Sequence, residues 1–487
     1  MPARRTHLAP SSAQSELAGA LAALRSELEL PTGFDAEVLA EAEAAVRAEP
    51  RPTRDLRELP FATLDPAGAR DLDQAFLIER RAGGGWLFRY AIADVPAFVR
   101  PSGSVDEEAR RRGQSLYAAD GMIPLHPPVI GVDRASLLPG EERAAYVWTF
   151  RLDDAGAVES TGLERALVRS QARLDYESAQ HAVDAGAHDG PLAELPALGA
   201  ARLEQERLRG GASLDLPDEE VLRDEHGAYR IERRLPLPVE TWNAQLSILT
   251  GIAAAELMLA GGVGVLRTMP APDADAVAAF RVRTEALGLA WPESLPYGEY
   301  LRSLDRGDPR TGPVLRAAAS LFRGAGYAVF DGAPPADPVQ AAIAAPYAHV
   351  TAPIRRLVDR WGLVASLAAA EGRSTPDWLR ASLPELPALM QASAARASRL
   401  EQATLDRVEA ALLADRIGEA FEATVVERRG EDRVVVQLDD PAVTASCAAP
   451  AGVPPEPGER MPVVLEHADI RSGTVGFRPG GGAVQPS

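Results

Sequence analysis

The chain alternates between two kinds of hydrophobic spacing, and the changes of spacing divide it. Over Ser12–Leu28 and Phe34–Ala48 apolar residues recur three and four apart, which predicts two helices around the breaker Pro31-Thr32-Gly33. From Phe61 the period shortens. Phe61–Asp65, Asp73–Ile78, Trp86–Ala93, Tyr146–Leu152 and Val158–Arg169 alternate or run apolar and end at Gly or Pro turns, so they read as strands. The helical period returns over Glu240–Ala260, Asp273–Leu287, Gly312–Phe322, Pro353–Ala370 and Pro387–Ile417. Five short strands then follow: Glu419–Arg428, Arg433–Gln437, Val443–Ala448, Met461–Asp469 and Thr474–Phe477.

Strands followed by helices predict an α+β architecture. The expected organisation is a helical unit over 1–50, with helix-turn-helix as one reading and two packing helices as the other. A large mixed domain follows over 51–416, strand-rich first and helix-rich second. A small OB/S1-type β-barrel over 417–478 and a Gly/Pro-rich flexible tail over 479–487 complete it. There is no internal repeat.

At 487 residues, with 46 % hydrophobic and 25 % charged positions, the chain suits a soluble globular protein and not a disordered one. A single cysteine, Cys447, excludes an internal disulfide framework and a cysteine-type zinc site. No signal peptide is expected from the polar residues after Arg4-Arg5. Ile248–Leu266 is the most apolar stretch; Glu256 and several glycines interrupt it, so a buried core helix is expected and no membrane span. A cytoplasmic monomer is the expectation. Net charge is −19, and all 51 basic residues are arginine. That balance argues against a protein that coats nucleic acid indiscriminately, while leaving room for a local arginine-lined channel.

The densest chemistry lies in Phe61-Ala-Thr-Leu-Asp-Pro-Ala-Gly-Ala-Arg-Asp-Leu-Asp-Gln-Ala-Phe76. Asp71 and Asp73 are two apart and so share a face in extended chain. Pro66 and Gly68 let the loop return Asp65 to them. Three carboxylates packed together repel unless cations intervene, and hard oxygen ligands select Mg²⁺ or Mn²⁺. By spacing alone, a solvated acidic turn explains the same residues.

The remaining motifs favour the chemistry. The acidic segment, Ile92-Ala-Asp-Val95, Asp106-Glu-Glu-Ala-Arg-Arg-Arg-Gly113, Ile123-Pro124, Ser136-Leu-Leu-Pro-Gly140 and Tyr347-Ala-His-Val-Thr-Ala-Pro-Ile-Arg-Arg356 occur in the order of one family. The chain resembles the ribonuclease II / ribonuclease R (RNB-domain) family of 3′→5′ exoribonucleases over most of residues 55–416. The resemblance implies a hydrolytic, metal-dependent exoribonuclease that releases nucleoside 5′-monophosphates. Asp65, Asp71 and Asp73 would hold Mg²⁺, or Mn²⁺, and Arg355 would clamp the phosphate. The family's fourth aspartate is Gln74 here, which implies weaker or rearranged metal binding at that position.

The resemblance also implies RNA contacts. Tyr117 would stack on terminal bases, while the usual aromatic partner falls at Val221. Glu401 would meet the 3′ end, and Thr351 and Arg356 are further contacts. Arg360 and Arg110–Arg112 divide between phosphate contacts and ion pairs, the register around Glu240–Gln245 is open, and His349 reads as a core histidine. The expected partner is the 3′ end of single-stranded RNA. The short segment before the catalytic region implies that structured RNA with a 3′ overhang is accepted too. A second reading keeps the fold as a catalytically weak RNA-binding regulator, motivated by Gln74 and Val221.

Overall fold

The computed structural model describes residues 4–7, 12–48, 51–119, 121–186, 189–212, 218–223 and 229–306, then 308, 310–319, 321, 323–430, 432–438, 441, 443–450 and 455–480. The predicted tail beyond Gly480 lies outside the described residues. Pro479, expected in that tail, instead pairs with Val463.

Helices α1 (Ser12–Glu27) and α2 (Ala36–Ala48) form where the period predicts. They share no core. Ala13, Leu17, Ala20 and Leu21 of α1 pack with Val408, Ala411 and Ile470, near the other end of the chain. Val38 and Ala42 of α2 pack with Phe61, Leu72 and Ala91. Each helix of the expected unit over 1–50 buries its stripe on a different part of the larger body.

That body is built on a sheet of β1 (Phe61–Asp65), β2 (Gln74–Arg80), β3 (Trp86–Ala93), β4 (Glu142–Leu152) and β5 (Val158–Asp175). The pairs β2–β3, β3–β4 and β4–β5 are antiparallel. The last part of β5 turns to pair parallel with β1, setting Asp65 opposite Asp175. Both faces are covered. Phe76, Phe88, Tyr90, Trp148 and Phe150 pack on one side, and Ala75, Leu77, Ala91, Ala93 and Val147 on the other. Side chains alternate between faces, and burial of both explains why these strands read as near-continuous apolar runs. Helix α3 (Ser104–Arg112) follows the sheet's third strand and carries the arginine triplet.

Helix α4 (Pro238–Gly261) is long and apolar enough to cross a bilayer by length and composition. Here Leu246, Leu249, Ala253 and Ala254 are buried in the main core. The apolar run expected to continue as helix to Leu266 breaks at Gly262, which has φ 72°, and continues as the strand Val263–Thr268. A residue with positive φ ends a helix, and β-branched Val263 and Val265 suit a strand.

Helix α5 (Leu357–Ala370) packs beside α4, with chain 347–350 between them. A Cβ on Gly251 would lie 2.6 Å from the Ala348 carbonyl oxygen, and one on Gly362 would lie 2.7 Å from Val350. Both glycines permit the close approach that places the following turn. Helix α6 (Leu386–Leu413) leads into a closed barrel of β6 (Ala420–Arg428), β7 (Arg433–Leu438), β8 (Thr444–Ala448), β9 (Arg460–Asp469) and β10 (Thr474–Pro479), ordered β6-β7-β8-β10-β9. Val425, Val434, Val436, Cys447, Val463 and Phe477 fill it. The architecture is mixed α/β with a C-terminal five-stranded barrel, as the hydrophobic pattern predicts.

Candidate active site

The acidic segment is the connection between β1 and β2, and local hydrogen bonds explain its shape. Gly68, with φ 84°, permits a tight turn in which the Ala69 N–H donates to the Pro66 carbonyl at 3.1 Å. Ser136 then holds the chain on both sides of Asp71. Its Oγ accepts from the Leu72 N–H at 3.0 Å and donates to the Arg70 carbonyl at 2.7 Å. Ser136 is fully buried. The sequence shows it inside a motif but gives no sign of this pinning role.

Asp65, Asp71, Asp73, Gln74, Tyr117, Thr351, Arg355 and Arg356 all line one cavity of about 860 Å³. The Tyr117 hydroxyl donates to Asp71 Oδ2 at 3.0 Å, and the residue as a whole is 58 % exposed. Asp73 is buried; its Oδ1 accepts the Ile354 N–H at 2.8 Å, and its Oδ2 lies 3.9 Å from Arg355 Nε. Gln74 donates from Nε2 to the Thr351 carbonyl at 2.6 Å and accepts from Tyr90 at 2.7 Å.

The helix predicted over Pro353–Ala370 would place Arg355 in its first turn. That is corrected: α5 starts at Leu357, and Arg356 is extended at φ −126° and ψ 126°. The reason is a competing set of partners. Asp359 Oδ1 accepts the Ala352 N–H at 2.6 Å, and both Asp359 oxygens take the Arg356 guanidinium at 2.9 Å. The backbone also bridges to a neighbouring segment, with Ser115 N–H on the Arg355 carbonyl at 2.9 Å and Leu357 N–H on the Gly113 carbonyl at 3.0 Å. Arg355 therefore projects from a pinned turn and not from a helix end.

The other expected contacts separate. Arg356 is ion-paired to Asp359. Arg360 is buried against Asp106 at 2.5 Å and donates to the Val99 carbonyl at 3.0 Å. Arg110 pairs with Glu385 at 2.7 Å, and Arg112 with Glu108 at 2.6 Å. Arg360 and Arg110 hold elements together, as does Arg112 by also donating to the Pro124 carbonyl at 2.9 Å. Glu401 is exposed on α6 and is not among the residues lining the cavity. Glu240 lines it, but its carboxylate accepts from Arg234 at 2.6 and 2.8 Å and from the Leu237 N–H. Val221 packs in the α1 cluster. His349 sits 2.7 Å from the Tyr327 hydroxyl, and burial plus the Arg356, Arg267 and Arg355 charges hold it well below the usual histidine range, hence neutral. Tyr347, which opens the last quoted motif, and Asn243, in the segment of open register, also line the cavity, as do Tyr176 and Ser247, which carry no motif signal in the sequence.

The electrostatics of the carboxylates are unusual. Burial, and then the Asp71 charge, push Asp65 up to about 7. Burial raises Asp73 well above the carboxylate range, against the opposing pull of Arg355 and the Ile354 N–H. Asp65 Oδ2 is buried without a hydrogen-bond partner. An orphaned carboxylate oxygen beside a second carboxylate suits a divalent cation. Among the described residues, however, no three or more His, Cys, Asp or Glu side chains gather closely enough to enclose one unaided. The two facts agree for a hard cation such as Mg²⁺, which binds through one or two carboxylates and completes its shell with water and substrate phosphate.

Comparison with known proteins bears on the same residues. The RNB domain family matches residues 53–361, and the RNase II-type exonuclease C-terminal S1 domain matches residues 419–480. Ribonuclease R of Escherichia coli (strain K12) is 30 % identical over 413 residues, covering 79 % of this chain and 50 % of that protein. The chain thus spans about half the length of that curated relative. The apo form of Mycoplasma genitalium RNase R superposes with a TM-score of 0.85 at 17 % identity, covering 95 % of this chain and 78 % of that one. The same enzyme in complex with double-stranded RNA gives 0.81 at 18 %, covering 95 % and 83 %. At these identities the structural likeness bears on fold.

Proposed function

This chain belongs to the RNB-domain family of ribonucleases, and on that footing we propose that it is a hydrolytic 3′→5′ exoribonuclease releasing nucleoside 5′-monophosphates. The observation that carries the proposal is the meeting of Asp65, Asp71, Asp73, Tyr117 and Arg355 in one cavity.

Each side chain has a physical task in this reading. Arg355 is permanently charged and planar, so it holds a phosphodiester beside Asp73 and balances charge that grows on the phosphate oxygens. Asp65, Asp71 and Asp73 would hold the divalent cation, Mg²⁺ or Mn²⁺, directly or through its water. When bound, such a cation supplies charge neutralisation and a more acidic water. The exposed Tyr117 ring offers a stacking face for a base, a contact worth about 1–3 kcal/mol and indifferent to sequence. Its hydroxyl meanwhile orients Asp71. Thr351 and Arg356 shape the wall behind the phosphate. The barrel supplies a platform for the incoming single strand. Neither Glu401 nor Glu240 is assigned a part at the reacting bond.

Two further features belong to the same reading. The substrate includes duplexes with a 3′ overhang, an extension supported by the double-stranded RNA complex of the Mycoplasma genitalium enzyme. In this reading the protein works as a cytoplasmic monomer.

A time course on single-stranded RNA, with and without Mg²⁺ and with product analysis, tests the proposal. Stepwise shortening from the 3′ end to 5′-monophosphates is expected. One observation favours a second reading, an RNA-binding regulator: the Gln74 amide is hydrogen-bonded at both its ends and adds no charge to the acidic cluster. A regulator would shift the RNA in a gel without shortening it.

A further inference from the structure

The resemblance gives Gln74 to the cation, but its surroundings give it another task. Gln74 opens β2, and both ends of its amide are occupied. The Tyr90 hydroxyl donates to Oε1 at 2.7 Å, and Nε2 donates to the Thr351 carbonyl at 2.6 Å. Tyr90 Oη also lies 2.9 Å from Ser247 Oγ.

The direction of this chain is forced. A backbone carbonyl only accepts, so the amide nitrogen must face Thr351 and the amide oxygen must face Tyr90. Tyr90 has one proton and gives it to Gln74. Ser247 must then donate to Tyr90. Donors run from α4 through β3 and β2 to the turn before α5. An ionised carboxylate at position 74 would have no proton to pass to Thr351, and an aspartate would also be one methylene too short.

The turn that receives this last hydrogen bond carries Arg355. It is held at three points: the Thr351 carbonyl by Gln74, the Ala352 N–H by Asp359 at 2.6 Å, and the Ile354 N–H by Asp73 at 2.8 Å. The side chains of neighbouring residues 73 and 74 thus clamp the turn on either side of Ala352-Pro353. With Gln74 committed to this clamp, the acidic groups left to face a cation are Asp65, Asp71 and Asp73.

We propose that Gln74 is a positioning residue, which fixes the Thr351–Arg356 turn and through it Arg355, and that it is not a cation ligand. The proposal rests on the nuclease reading of the cavity. It implies that the donor half of the amide matters to turnover, while removing the whole amide leaves cation affinity alone.

The test uses the full chain as wild type, Gln74→Leu and Gln74→Glu. Gln74→Leu removes both hydrogen bonds; Gln74→Glu keeps the size and the acceptor and loses the donor. Three quantities are read: kcat and KM on single-stranded RNA, Mn²⁺ affinity by calorimetry without RNA, and hydrogen exchange across residues 349–357. The expected result is a kcat lower by roughly 10- to 100-fold in both variants with KM little changed. Exchange across the turn should be faster in both, and Mn²⁺ affinity in Gln74→Leu should equal that of wild type. Weakened Mn²⁺ binding in Gln74→Leu would make Gln74 a ligand and overturn the proposal, as would unchanged kcat or unchanged exchange. If Gln74→Leu fails to fold, the isosteric Gln74→Glu still reads kcat and exchange. If wild type itself leaves RNA intact, the nuclease reading fails, and the Mn²⁺ and exchange measurements still decide the clamp.

Discussion

Asp73 reaches across 281 positions of sequence to accept the Ile354 N–H at 2.8 Å, so the acidic loop and the arginine turn are one hydrogen-bonded unit. Their coupling sets the electrostatics of the site. Asp73 is buried, and the foremost positive charge opposing its elevated proton affinity is Arg355, with Arg356 adding to it.

Removing that charge should show in turnover more than in binding. Arg355→Ala is expected to lower kcat by roughly 100-fold or more, with RNA affinity changed far less, because the guanidinium acts where charge develops. Single-turnover rates beside anisotropy titrations check this. Equal losses in both would make Arg355 an ordinary RNA contact.

The carboxylates should also write themselves into the pH dependence of stability. Asp65 ionises near 7 when folded, against an ordinary value of 3.8. Between those values the folded protein binds a proton that the unfolded chain does not. Without cations, stability is therefore fullest below about pH 4 as far as Asp65 is concerned, and it declines as pH rises toward 7. Saturating Mg²⁺ favours the ionised form and should flatten the decline. Melting temperatures across this range, with and without Mg²⁺, measure it. A slope that survives Asp65→Asn unchanged would assign it to other groups.

Tyr117 combines two tasks that substitution can separate. Tyr117→Ala should weaken RNA binding by about 1–3 kcal/mol through lost stacking. Tyr117→Phe keeps the ring, so affinity should stay near wild type while turnover changes through the freed Asp71. Affinity loss of the same size in Tyr117→Phe would place the binding energy in the hydroxyl.

Helix α1 is a structural part of the body, so a cavity in its packing should be felt. Leu17 is fully buried in a cluster with Val408 of α6 and Ile470 beyond β9. Leu17→Ala is expected to cost about 2–5 kcal/mol in urea unfolding. A loss under about 1 kcal/mol would mean that the helix is only loosely docked.

The strands of the sheet were legible because punctuation bounds them. Pro60 and Pro66 frame Phe61–Asp65, and Gly85 and Asp94 frame Trp86–Ala93. The barrel strands were legible for the same reason. Partners were not. The stripe on α1 says that a face is buried but not that Val408 and Ile470 cover it. Pro353 looked like a helix start because proline favours a first turn, but Asp359 and the bridge to Gly113–Ser115 hold that stretch out of the helix. Asp65, Asp71 and Asp73 stand out by residue type and spacing, but their role, and Arg355 altogether, came from the resemblance to a known family. Ser136 and Tyr90 were missed as positioning groups, since a serine or tyrosine gains such a role only from what folds beside it.

The most direct measurement follows wild type and Asp73→Asn on the same 5′-labelled single-stranded RNA with Mg²⁺, reading binding and length together. The account predicts that both bind comparably, that wild type shortens the strand from its 3′ end, and that Asp73→Asn is slower by orders of magnitude. Near-normal shortening by Asp73→Asn, or no shortening by wild type, would contradict it.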